Sequence, residues 1–82
     1  MKVRVTFYGR LKELAGMRQQ ELELSSNPAT LQTVVDCLLE RHPGLREQLE
    51  TVAYAVGAEL VELDTPVEDG VEIGLLPPVS GG

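Results

Sequence analysis

The chain has no tryptophan, and its 82 residues include one cysteine, one histidine, one phenylalanine and two tyrosines. A lone Cys37 cannot close an internal disulfide, so nothing calls for an oxidising compartment. With His42 as the single imidazole there is no histidine-rich metal set and no second general base of that type. Neither a GxGxxG nor a GxxxxGK[ST] run occurs, which removes the usual phosphate-cradling loops. Basic residues are scarce as well. Seven Lys and Arg face thirteen Asp and Glu, for a net charge of −6, and a nucleic-acid partner is excluded where phosphate neutralisation dominates affinity. No apolar run approaches the roughly 18–20 residues that span a bilayer. The start, Met1 to Thr6, lacks the apolar core of a signal peptide. A cytoplasmic protein with no membrane partner is expected.

What remains is enough for one small domain. A chain of this length hides only about 60–65% of its extended surface on folding, which excludes a deep cleft between two domains. Hydrophobic residues make up 43%, too many for an intrinsically disordered chain. The charge is bipolar. Residues 1–20 hold five bases against Glu13, a balance of +4, whereas the other 62 residues hold Arg41 and Arg46 against twelve carboxylates, a balance of −10. Such a separation suits a charged partner that meets one side.

Val3, Val5 and Phe7 alternate with Arg4, Thr6 and Tyr8, the period of a half-buried strand. Arg10 to Ala15 reads as a short helical turn with Leu11, Leu14 and Ala15 on one side, closed by Gly16. A second strand over 17–24 carries Leu22 and Leu24. After the loop at Ser25–Pro28, Thr30 is the expected N-cap of an amphipathic helix built on Leu31, Val34, Val35, Leu38 and Leu39. Pro43-Gly44 stops it, and a weaker turn follows at Leu45–Leu49. Val52, Tyr54 and Val56 form the next strand, Leu60–Leu63 a short one, and Val71, Ile73 and Leu75 the last, after the Asp69-Gly70 turn. The order is β-β-α-β-β-β: an α+β domain of two layers over residues 1–76, with one main helix on a mixed sheet of about five strands. Cys37, flanking the helix stripe, reads as a structural thiol, and His42 as a helix-end residue. Glu68, Asp69 and Glu72 read as solvated turn residues, because their spacing fits no metal site.

The last six residues differ from everything before them. Pro77-Pro78 prefers an extended path and cannot donate to a sheet, and the six residues reach about 20 Å from the domain. Gly81-Gly82 can enter a channel too narrow for any Cβ, and it delivers the α-carboxylate there. A carboxylate becomes electrophilic only after activation by a second enzyme.

The ending Leu75-Leu76-Pro77-Pro78-Val79-Ser80-Gly81-Gly82, preceded by Asp69-Gly70-Val71-Glu72-Ile73, resembles the C-terminus of the MoaD family, the small subunits of molybdopterin synthase. Val5 to Gly16 and Leu60 to Val67 are similar to the same family, so the likeness covers essentially the whole chain. It implies a β-grasp, ubiquitin-like fold and a sulfur carrier. On that resemblance Gly82 is adenylated by a ubiquitin-activating-type enzyme that uses ATP, converted to a thiocarboxylate, and delivered to the large synthase subunit with Gly81 as its slim neighbour. There the sulfur passes to cyclic pyranopterin monophosphate. The resemblance further implies a heterotetramer with that subunit, no bound cofactor, and a carrier whose catalytic groups lie on its partner. One departure is Gly57, where many relatives have Asn. Sulfur carriers of thiamine thiazole synthesis or of tRNA thiolation share the Gly-Gly end and stay open as alternatives, as does a β-grasp binding module without tail chemistry.

Strand parity gives the docking expectation. If Val3, Val5 and Phe7 face the helix, Tyr8 faces away, as do Glu72, Gly74 and Leu76. Tyr8, Leu60 and Leu76 are the expected anchors for the large subunit and the activating enzyme, together with Pro77, Pro78 and Val79 of the tail. Arg10 and Lys12 are expected at the rim, and no residue is expected to bind metal.

Overall fold

A computed structural model describes residues 1–78. Strand β1 (Lys2–Phe7) and strand β2 (Gln19–Glu23) pair antiparallel, with helix α1 (Arg10–Ala15) elaborating the connection between them. Gly16 closes α1 in the left-handed conformation, φ 76°, and its N–H donates to the Lys12 carbonyl. Strand β3 (Ala29–Thr30) leads into the main helix α2 (Leu31–Arg41). A 3-10 turn at Pro43–Leu45 and the single-turn helix α3 (Arg46–Leu49) follow. Strands β4 (Ala53–Val56) and β5 (Glu59–Val61), then β6 (Pro66–Val67) and β7 (Glu72–Leu76), complete the described chain.

The main sheet runs β2-β1-β7-β4-β5, with β1 and β7 parallel at its centre and the other neighbours antiparallel. This is the β-grasp arrangement that the resemblance implies. The two-residue pair β3–β6 was not expected, because two residues carry no readable alternation. It has a local role. The loop before β6 satisfies the first turn of α2, where the Leu31 N–H donates to the Thr65 carbonyl and the Gln32 N–H to that of Leu63, both at 2.9 Å. Thr30 sits at the N-cap in extended conformation, and its N–H donates to the Thr33 hydroxyl.

The α2 stripe of Leu31, Val34, Val35 and Leu38 is buried against Val3, Val5 and Phe7 of β1, Leu22 of β2, and Ile73 and Leu75 of β7. One layer of helix on one face of the sheet leaves the opposite face open. Removing a leucine such as Leu31 or Leu38 from this core costs about 2–5 kcal/mol, a large share of a small domain's stability.

Three residues outside the tail behave structurally. Cys37 is half-buried beside the core. His42 caps α2, shares a hydrogen bond with the Gln20 side chain, and meets the Phe7 ring edge-on at 5.8 Å. The Asp69 carboxylate accepts the Lys2 N–H at 2.7 Å, so it pins the turn before β7 to the start of β1.

Candidate functional site: the open sheet face and the root of the tail

The register of the sheet decides which side chains share the open face. Arg4 lies opposite Glu72 and Thr6 opposite Gly74, while Val5 and Phe7 lie opposite Ile73 and Leu75 in the core. On the other side of β7, Ala53 pairs with Leu76 and Ala55 with Gly74. Ala55 in turn pairs with Leu60, so Leu60 belongs to the same face, where it is 70% exposed. Tyr8, 48% exposed, follows the last residue of β1 on this side. Leu76 is half-buried there. The three expected anchors therefore share one face. Charge occupies the end toward Lys2, Arg4, Glu21 and Glu72, and apolar surface the end toward Tyr8, Leu76, Ala53, Ala55 and Leu60.

A shallow groove of about 380 Å³ crosses the apolar end, with Tyr8, Ala55 and Leu76 on its walls. Gly74 forms its floor, and the missing side chain matters here. A Cβ at Gly74 would lie 3.0 Å from Cε2 of Tyr8, tighter than ordinary van der Waals contact, so the glycine lets the ring approach β7 closely where a side chain would make it shift. Gly57 also borders the groove, at φ 63° in the two-residue connection between β4 and β5. Asn and Gly both adopt that left-handed conformation, so the departure at this position preserves the turn.

The parallel pairing of β1 with β7 places the root of the tail beside Tyr8. The Tyr8 N–H donates to the Leu75 carbonyl at 3.3 Å, so the chain leaves the sheet from a central strand and not from an edge. Pro77 is half-buried and passes close to Gly9, and Pro78 is exposed. Val79, Gly81 and Gly82 lie outside the described residues.

Arg10 lies away from the open-face groove, in a second groove lined by Leu14, Pro77 and Pro78. Lys12 is exposed on α1. Among the described residues no three His, Cys, Asp or Glu side chains gather in a way that would hold a metal ion, and no helix is long and apolar enough to cross a membrane. Leu14, grouped by its spacing with Leu11 on one side of α1, is exposed, and so is Leu63, which lies past the end of β5 (Glu59–Val61) and not within the short strand expected over Leu60–Leu63.

A family model of the ThiS family matches residues 5–82. The chain belongs to the ThiS family. Among curated relatives of this ThiS-family protein, the molybdopterin synthase sulfur carrier subunit of Homo sapiens is 31% identical over 84 residues, covering 99% of this chain and 94% of its own. That of Mycobacterium tuberculosis is 30% identical over 82 residues, covering 100% and 99%. Among solved structures, SAMP1 from Haloferax volcanii matches with a TM-score of 0.90 at 26% identity over 100% of both chains. A chain in the protein-protein complex of subunits 1 and 2 of molybdopterin-converting factor from Helicobacter pylori matches with a TM-score of 0.73 at 35% identity, again over 100% of both.

Proposed function

We propose that this chain is the sulfur carrier subunit of a molybdopterin synthase, with Gly82 as the residue that is modified. The observation that carries the reading is the departure of the Pro77-Pro78-Val79-Ser80-Gly81-Gly82 end from a central strand, beside an apolar open face. A small monomer seldom exposes such a patch without a partner for it. Tyr8, Leu60 and Leu76 dock the protein that receives the tail, and the tail brings its carboxylate into that protein's active site. The curated relatives' names support molybdopterin over thiazole or tRNA thiolation as the destination of the sulfur.

The chemistry follows from the terminal carboxylate. Its resonance leaves it a poor electrophile with no leaving group. The activating enzyme corrects this: a Gly82 oxygen attacks the α-phosphorus of ATP, and pyrophosphate departs. The resulting acyl-adenylate has AMP as its leaving group, and a sulfur donor displaces it to leave the thiocarboxylate. The carrier then docks on the large subunit, its sulfur bonds to a carbon of cyclic pyranopterin monophosphate as an oxygen substituent leaves that carbon, and water cleaves the acyl–sulfur bond, so that the sulfur stays on the pterin and Gly82 returns to a carboxylate. Gly81 and Gly82 leave only backbone to thread, so the walls of a channel can close tightly on the tail. The carrier binds no cofactor itself, and its partner supplies the acid–base groups.

The test is mass spectrometry of the full chain after incubation with ATP, a ubiquitin-activating-type adenylating enzyme and a sulfur donor. A mass gain equal to one sulfur replacing one oxygen, mapped to Gly82, is expected. A chain that stays unmodified under conditions that modify a known carrier would identify a binding module instead.

A further inference from the structure

Strand β5 is one of the two free edges of the main sheet, and it is three residues long. Its two-residue connection to β4 makes Val56 and Glu59 the hydrogen-bonded pair that closes the turn, and the ladder alternates from there. The Leu60 N–H and C=O therefore point away from β4, and neither has a backbone partner among the described residues. The edge is closed on both sides of this residue. Gly57-Ala58 is the turn, and Glu62 folds back on Thr65, whose hydroxyl accepts the Glu62 N–H at 3.2 Å while the Glu62 carbonyl accepts the Thr65 N–H at 3.1 Å. One residue with a free donor and a free acceptor is left.

Glu59 pairs with Val56, and Val56 with Ile73 of the core, so Glu59 and Val61 lie on the helix side of the edge. On that side runs a groove of about 540 Å³, walled by Leu39 of α2, Leu49 of α3, and Val61 and Leu63 at the edge, with the exposed Arg46 on its rim. Because β5 ends the sheet, the groove opens past it.

We infer that β5 is a homodimer edge, where a second copy of this chain pairs antiparallel about a two-fold axis at Leu60. Each Leu60 N–H donates to the Leu60 carbonyl of the other copy, a mutual pair that sits on the axis because the two strands are identical. Glu59 of one copy then lies opposite Val61 of the other, at the mouth of the groove that holds Arg46. Its carboxylate meets that guanidinium, and each β5 supplies the outer wall that the other groove lacks. This self-complementarity selects the occupant. The other free edge, β2, carries Glu21 and Glu23, and the same operation there would bring like charges together. With two backbone hydrogen bonds and a net charge of −6 on each copy, the pair is transient. Leu60 is also an anchor in the proposed function, so pairing withholds the carrier from docking, and docking releases the pair.

The test is sedimentation equilibrium of the full chain alone, alongside amide hydrogen exchange at Leu60. The mass is expected to rise from 8.9 kDa toward twice that value between about 10 µM and about 1 mM, with Leu60 exchange slowing in step. Glu59→Arg and Arg46→Glu are each expected to weaken association about tenfold, since each sets two like-charge contacts across the axis. The double variant restores it to within about threefold of wild type. Both side chains are exposed, so Tm stays unchanged throughout. A chain that remains at 8.9 kDa over the whole range would overturn the inference. So would a dimer that leaves Leu60 exchange unprotected, or a double variant that associates no better than the single ones. The thiocarboxylate assay needs no dimer. A chain that is modified but never pairs defeats this inference alone, and one that pairs but is never modified defeats the proposed function alone.

Discussion

Replacing Leu60 with alanine removes an apolar side chain that is already 70% exposed, on a face that pairing with Ala55 assigns to the open side of the sheet. Full burial of a leucine contributes about 1.5–3 kcal/mol. Folding has realised roughly a third of that at Leu60, which leaves about 1–2 kcal/mol to be gained on docking. Leu60→Ala should therefore weaken binding to the large subunit about 5- to 30-fold, through a faster off-rate. The cost to the fold stays below about 1 kcal/mol, a fall in Tm of no more than about 4–8 °C for a domain of this size. Calorimetric titration with the large subunit and thermal unfolding of the free chain measure the two effects separately. A Kd within twofold of wild type would remove Leu60 from the interface. A larger loss of Tm would show that the leucine supports the fold through contacts other than those of an exposed strand position. Leu76 is a poorer probe, because it is half-buried and its substitution mixes the two effects.

Removing Gly82, or converting its carboxylate to an amide, should abolish thiocarboxylate formation in the mass-spectrometric assay with Tm unchanged, since Leu75 is the last buried core residue among those described. Gly74→Val should push the Tyr8 ring off the groove floor, because a Cβ there meets Cε2 at 3.0 Å. NMR shifts of the Tyr8 ring together with a severalfold weaker Kd check this, and an unmoved ring with normal binding would contradict it. Tyr54 is buried, its hydroxyl donates to the Leu49 carbonyl at 3.1 Å, and desolvation raises its pKa above the ordinary 10.0. The unfolded chain thus loses this proton first, so stability should fall as pH rises above 10. Tyr54→Phe should remove that part of the pH dependence and cost about 0.5–1.5 kcal/mol at neutral pH, both read from denaturant melts at two pH values.

The alternation in β1 and β7, the i, i+3, i+4 stripe of α2 and the turn glycines at 16 and 70 were legible because each is a short-range periodicity that the backbone must obey. With them came the two-layer fold, the core, and the outward parity of Tyr8 and Leu76. The chemistry of the tail was equally legible, since two prolines, two glycines and a carboxylate need no partner in the fold to declare what they can do. Tertiary structure alone decided which strands are neighbours. Parity says that Tyr8, Leu60 and Leu76 point outward, but only the order β2-β1-β7-β4-β5 brings them onto one patch and starts the tail beside it. It also overrode the helical spacing of α1. That helix is six residues long, too short to be covered on a whole side, so Leu11 took the core and Leu14 was left facing Pro77 and Pro78. The two-residue pair β3–β6 and the displacement of Arg10 to the tail root have the same origin. Each depends on how segments far apart in the chain are brought together, and local periodicity carries no information about that.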